Sequence, residues 1–182
     1  MGFQTLLKIS LRSIKKEKDA QLQKQIFTFI DAVLDTIPSL IIESCYAIVD
    51  LQSSDHKEIR RYAIGLLGKA IKHCVDIKGY NVDRLSLFNL LESPLFDKAS
   101  SCRKRAFELI KVIAHSILEI INPEGAIHLY TSILNAVTDP KPSIRKLAVD
   151  VIVDLTSLYI EKFEISSDEE SWDERYQISQ NN

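Results

Sequence analysis

The sequence has little of what most specialised folds require. Its three cysteines, Cys45, Cys74 and Cys102, are odd in number, widely spaced and form no CxxC pair. Neither a disulfide framework nor a structural zinc site is expected; buried thiols in a reducing, intracellular compartment are. Glycine and proline number five each, which excludes collagen-like and Pro/Gly-rich chains. No run of about 18 uncharged apolar residues occurs, so no membrane-spanning helix is predicted. The N-terminal stretch lacks the apolar block and cleavage site of a signal peptide, and Leu6 stands where a myristoylation signal has Ser or Thr. Asn-Gly and Asp-Gly turns are missing, and no sustained alternation of apolar and polar residues suggests strands.

Catalytic signatures are missing too. The histidines, His56, His73, His115 and His128, form no HExxH spacing, and GxGxxG, P-loop and GxSxG patterns do not occur. Neither catalysis nor a metal or cofactor is expected. Gly65 and Gly68 have GxxG spacing inside a helical pattern, which favours close helix packing over phosphate binding.

What is present is helical. Of 182 residues, 46% are hydrophobic and 26% charged, dominated by Leu, Ile, Ala, Lys and Glu, with prolines between periodic segments. Eight helices are predicted, at about 3–14, 19–37, 38–52, 56–77, 82–91, 100–121, 123–138 and 142–163. Gly79 is placed to stop the fourth, and Pro123 to open the seventh at its first position, where a missing N–H costs nothing. Residues 1–163 carry a net charge of +3, and residues 164–182 a net of −5. The latter are expected to form a disordered acidic tail. Within it Ser166 and Ser167 each have a carboxylate three residues downstream, an acidophilic-kinase pattern, and Trp172 stands alone among polar residues.

The long helices repeat. Arg60, Arg103 and Arg145 lie 43 and 42 residues apart. Each is followed at +3 by Ala63, Ala106 or Ala148, at +6 by Leu66, Leu109 or Val151, and at +7 by Leu67, Ile110 or Ile152. Gln23 holds the equivalent place in the second helix. These offsets make one apolar face, with a small residue where a paired helix approaches. A helix pair cannot bury such a face alone, so neighbouring pairs must stack. The expected fold is all-α, an α-α superhelix of about four helix pairs.

This period, with Asp139-Pro140-Lys141-Pro142-Ser143-Ile144-Arg145-Lys146-Leu147-Ala148, resembles the HEAT-repeat, armadillo-like family over residues 3–163. The resemblance implies a protein-interaction role. In such repeats the aligned arginine bonds to an Asp or carbonyl of the adjacent unit. Asp55, Asp97 and Asp139 recur upstream of Arg60, Arg103 and Arg145 and are the expected ladder partners. Further basic residues cluster at the same helix starts: Lys15, Lys16 and Lys18; Lys57 and Arg61; Lys98, Lys104 and Arg105; Lys141 and Lys146. Arg61, Lys104, Arg105 and Lys146 are read either as a basic edge that takes an acidic or phosphorylated partner or as an ordinary solvated face. Nucleic acid is not expected, given the modest charge and the lack of interleaved aromatics.

A narrower likeness lies in Pro38-Ser39-Leu40-Ile41-Ile42-Glu43, Ile48-Val49-Asp50-Leu51-Gln52 and the run from Glu58 to Lys72. It resembles the N-terminal HEAT domain of the symplekin family. That resemblance implies a nuclear scaffold of pre-mRNA 3′-end cleavage and polyadenylation, docking an RNA polymerase II C-terminal-domain phosphatase, and it implies that the chain is a fragment. Two alternatives stand beside it, a tubulin-binding TOG-type domain and a piece of an importin-β-like transport receptor. Against the first, the loop Lys15-Lys16-Glu17-Lys18-Asp19 has no Trp.

Overall fold

The computed structural model describes residues 2–76, 84–116 and 123–162, apart from the side chains of residues 74–76, 84–89, 123–126 and 162. Among these residues every regular element is helical. In chain order they are α1 (Phe3–Lys16), α2 (Ala20–Thr36), α3 (Leu40–Glu43), α4 (Cys45–Gln52), α5 (Lys57–Asp76), α6 (Arg84–Leu95) and α7 (Ser100–Val112). α8 (Pro123–Asn135) runs into a 3₁₀ turn at Ala136–Thr138, and α9 (Pro142–Lys162) follows. The expected tail, with Ser166, Ser167 and Trp172, lies outside the described residues, as does Gly79.

Three boundaries differ from the sequence expectation. The helix expected over residues 38–52 is two, α3 and α4. Ser44 between them has φ −102° and ψ 1° and donates to Ile41 O at 3.2 Å, which closes a tighter turn. The helix expected to stop near residue 91 runs to Leu95 with Pro94 inside it. Proline has no N–H to offer the carbonyl of Leu90, four residues back. Gln52 Nε2 donates to that carbonyl instead, at 3.2 Å, so α4 satisfies the group the proline frees. Third, α7 ends at Val112. Ile113 has φ −103° and ψ 13°, and helix resumes over residues 114–116. The expected remainder to residue 121 lies outside the described residues.

Each long helix packs on its neighbours in the chain. α5 contacts α4, α6 and α7; α7 contacts α5, α6 and α9; α9 also contacts α8; α1 contacts α2 and α4. One continuous apolar cluster runs from Leu7 in α1 to Leu155 in α9. Ala63, Ala106 and Ala148 are all fully buried within it. Gly68 serves a similar purpose, because a Cβ there would overlap the side chain of Leu109 from α7. Of the thiols, Cys102 is buried and Cys45 half-buried, and the Cys74 side chain lies outside the described ones.

Candidate interaction groove and the ladder beneath it

The turns that enter α2, α5, α7 and α9 share one hydrogen-bond pattern. Gln23 Nε2 donates to Glu17 O at 2.6 Å, Arg60 Nη1 to Ser54 O at 2.7 Å, Arg103 Nη1 to Asp97 O at 2.8 Å and Arg145 Nη1 to Asp139 O at 2.8 Å. In each case the acceptor is six residues before the donor. The side chain of that acceptor residue in turn takes the N–H two residues on: Asp19 N to Glu17 Oε1, His56 N to Ser54 Oγ, Ala99 N to Asp97 Oδ1 and Lys141 N to Asp139 Oδ1. Short polar side chains suit such turns because they satisfy main-chain donors that the helix start leaves open.

Two of these arginines also reach the next turn. Arg60 holds Asp97 in a fork, Nε to Oδ2 at 2.7 Å and Nη2 to Oδ1 at 3.0 Å. Arg103 holds Asp139 likewise, at 2.6 and 3.0 Å. All four side chains are largely withdrawn from water. Planar forks of this kind are the strong form of the Arg–carboxylate bond. For Asp97, burial pushes the carboxyl up, but the Arg60 fork and the Ala99 N–H outweigh it and hold it below its ordinary value. The Arg103 bonds hold Asp139 low more directly. Arg60 is raised above its ordinary value by the same bond to Asp97.

Asp55 does not belong to this ladder as a carboxylate. Ser54 occupies the position equivalent to Asp97 and Asp139, and Asp55 contributes its main-chain carbonyl to Arg60 Nη1 at 3.0 Å. The arginine lies five residues after Asp55 but six after Asp97 and Asp139, so register rather than residue type decides. Arg145 bonds to the carbonyls of Asp139 and Pro140 and to no carboxylate among the described residues.

Residues of α2, α5 and α7 line an open groove of about 640 Å³. Its apolar wall includes Phe27, Tyr62, Leu109, Val112 and Ile113. Phe27 and Tyr62 stack with ring centroids 3.8 Å apart, and the Tyr62 hydroxyl donates to Phe27 O at 3.1 Å. Burial pushes the Tyr62 phenol well above its usual value, and Asp31 and Asp35 add to that. Its cations are Arg61, Lys69, Lys72 and Arg105. Lys69 is satisfied by Asp31 at 2.8 Å and Asp35 at 3.3 Å; burial lowers its ammonium, but these carboxylates prevail and raise it. Arg61 meets Glu58 at 3.8 Å with both side chains about half exposed, a contact worth about 0–1 kcal/mol. Arg105 lies over Gly65, where a Cβ would sit 3.6 Å from its Nη2, and neither it nor Lys72 has an ion-pair partner among the described residues.

Of the four residues read as a basic edge, the groove therefore gathers Arg61 and Arg105. Lys104 turns out of it towards Glu108 on its own helix at 3.6 Å, and Lys146 lies exposed on α9. Lys69 and Lys72 join the groove and were not picked out from sequence. Their signal was available: Arg61, Gly65, Lys69 and Lys72 recur at intervals of four, four and three, one stripe of a helix. Among the described residues no group of three or more His, Cys, Asp or Glu could hold a metal, and no helix is long and apolar enough to cross a membrane.

Compared with known proteins, the chain matches no family model, no curated protein and no solved structure.

Proposed function

We propose that the chain is a non-catalytic protein-interaction scaffold, an α-α superhelix of four helix pairs whose groove takes an acidic or phosphorylated segment of a partner protein. The stacked-pair reading is supported by the six-residue side-chain-to-carbonyl bond at Gln23, Arg60, Arg103 and Arg145. The binding reading is carried by one observation. Arg105, Lys72 and the loosely held Arg61 rim an apolar wall that stays open to solvent, with Val112 80% exposed. A segment that alternates carboxylates or phosphates with apolar side chains satisfies both parts.

In its specific form, taken from the symplekin resemblance, the scaffold is nuclear, serves pre-mRNA 3′-end processing and receives an RNA polymerase II C-terminal-domain phosphatase. Two experiments test the general and the specific reading separately. A fluorescein-labelled peptide alternating Glu with Leu should bind with salt-sensitive affinity, and the double variant Arg61→Glu, Arg105→Glu should weaken it by on the order of tenfold without moving the melting curve. No binding at low salt, or equal binding by the variant, overturns the groove. Capture from nuclear extract should recover the phosphatase with processing factors; recovery of tubulin or of transport cargo instead overturns the specific form.

A further inference from the structure

The ladder and the apolar faces are complementary at the two outermost of the aligned helices, α2 and α9. Between neighbouring helices the contacts have a fixed sense. Leu109, at +6 from Arg103, seats on Gly68, at +8 from Arg60. Tyr62, at +2 from Arg60, stacks on Phe27, at +4 from Gln23. The +6 position therefore faces the preceding helix, and +4 and +8 face the following one.

Exposure follows that sense. At +6, Leu66, Leu109 and Val151 are at most 7% exposed, whereas Phe29 on α2 is 43% exposed. At +4, Ile64 and Phe107 are at most 1% exposed, whereas Val149 on α9 is 46% exposed. At +8, Gly68 is buried and Lys111, half exposed, pairs with Asp154 of the following helix at 3.0 Å, whereas Val153 on α9 is 56% exposed. The polar groups divide in the same way. On α9, Arg145 Nη1 is bonded, while Nε and Nη2, the edge that grips a carboxylate in Arg60 and Arg103, carry no bond among the described residues. Before α2, Glu17 holds its own turn through Oε1, as Asp97 and Asp139 do through Oδ1, and its Oε2 meets no cation among the described residues. Lysines beside Glu17 do not spoil the match. Lys98 and Lys141 flank Asp97 and Asp139 in the two junctions that form.

We propose that this chain associates head to tail with a second copy of itself. Arg145 of one molecule grips Glu17 of the next, and Val149 and Val153 cover Phe29, which carries the internal junction across two chains. The contact surfaces differ on the two partners, so the interface is heterologous and adds copies in series unless it closes into a ring.

The test is sedimentation velocity on the full 182-residue chain at rising concentration. The mean mass should climb above the 20.7 kDa of one chain. Arg145→Glu and Glu17→Arg should each abolish the rise, with the melting curve lowered by no more than a few degrees, because each loses only the hydrogen bonds within its own turn. An equimolar mixture of the two variants should associate again, because the native Arg145 of one meets the native Glu17 of the other and the two new charges meet their opposites. A mass that stays at one chain throughout overturns the proposal. So does association that both variants retain, or a mixture that fails to recover.

Discussion

The junction of α2 with α5 and the junctions further along the chain do the same mechanical job with different chemistry. In α5 and α7, a buried Arg–Asp fork ties the helix to the turn that enters the next long helix. Between α2 and α5 the equivalent positions hold Gln23 and Ser54, which bear no charge, and no fork exists there. An aromatic stack, the Tyr62 hydroxyl on Phe27 O and the exposed Lys69–Asp31 bridge take its place. The apolar interface is continuous through both. Stacking of the helices therefore depends on apolar burial, and the polar groups set register and local strength.

Breaking a fork is the largest expected perturbation. Arg103→Ala leaves the Asp139 carboxylate in a site only 7% exposed with its main cation gone. Removing one partner of a buried pair costs about 3–5 kcal/mol, because the remaining charge is stranded. Arg145→Ala removes the same side chain where it grips no carboxylate, so it should cost about 1 kcal/mol or less. Urea denaturation of the two variants side by side measures the difference. Equal losses would show that the carbonyl bonds, which both arginines make, carry the stability and the forks do not.

Protonation is a milder way to separate the two kinds of junction. Asp97 and Asp139 are held below the ordinary carboxylate value, near 3.9. A group whose folded value is depressed gives its full stabilisation above the unfolded value and loses it as pH falls through the folded one. The fork junctions should therefore loosen in acid, below about pH 4. Lys69 and Tyr62 are raised, so their stabilisation is complete below their ordinary values, about 10, and fades as pH climbs past them. Amide exchange should thus speed first in α7 and α9 on acidification and first in α2 on alkalinisation. Simultaneous loosening of all helices at both extremes would mean that the junctions are not separable.

Much of the ladder was legible because it is written in residue type at a fixed spacing. Arg60, Arg103 and Arg145, the alanines three residues on, and Asp97 and Asp139 could all be aligned by eye. Ser54 could not, since a hydroxyl does the turn's hydrogen bonding there while the tempting Asp55 is one residue out of register. Pro94 misled for a similar reason. A proline reads as a helix stop, and its tolerance depends on Gln52, 42 residues away, meeting the Leu90 carbonyl. The groove was half legible. Arg61 and Arg105 carry charge at helix starts, but whether Lys104 or Arg105 faces α5 depends on the rotation of α7, which packing decides.

The two glycines of α5 give the finest test of the fork side of the comparison, and they should respond with opposite signs. A methyl at Gly68 would overlap the Leu109 side chain of α7. Gly68→Ala gains about 1 kcal/mol of helix propensity but forces Leu109 aside, at about 1–3 kcal/mol, for a net loss. At Gly65 the new methyl meets only the tip of Arg105, at an ordinary 3.6 Å. Propensity should then prevail, and Gly65→Ala should stabilise by up to about 1 kcal/mol. Both substitutions make the same local chemical change in the same helix, so propensity cancels between them. The difference in denaturation midpoint reports the closeness of α5 to α7 alone. If both variants gain equally, α7 has room to shift outward, and the forks hold a loosely packed junction rather than a tight one.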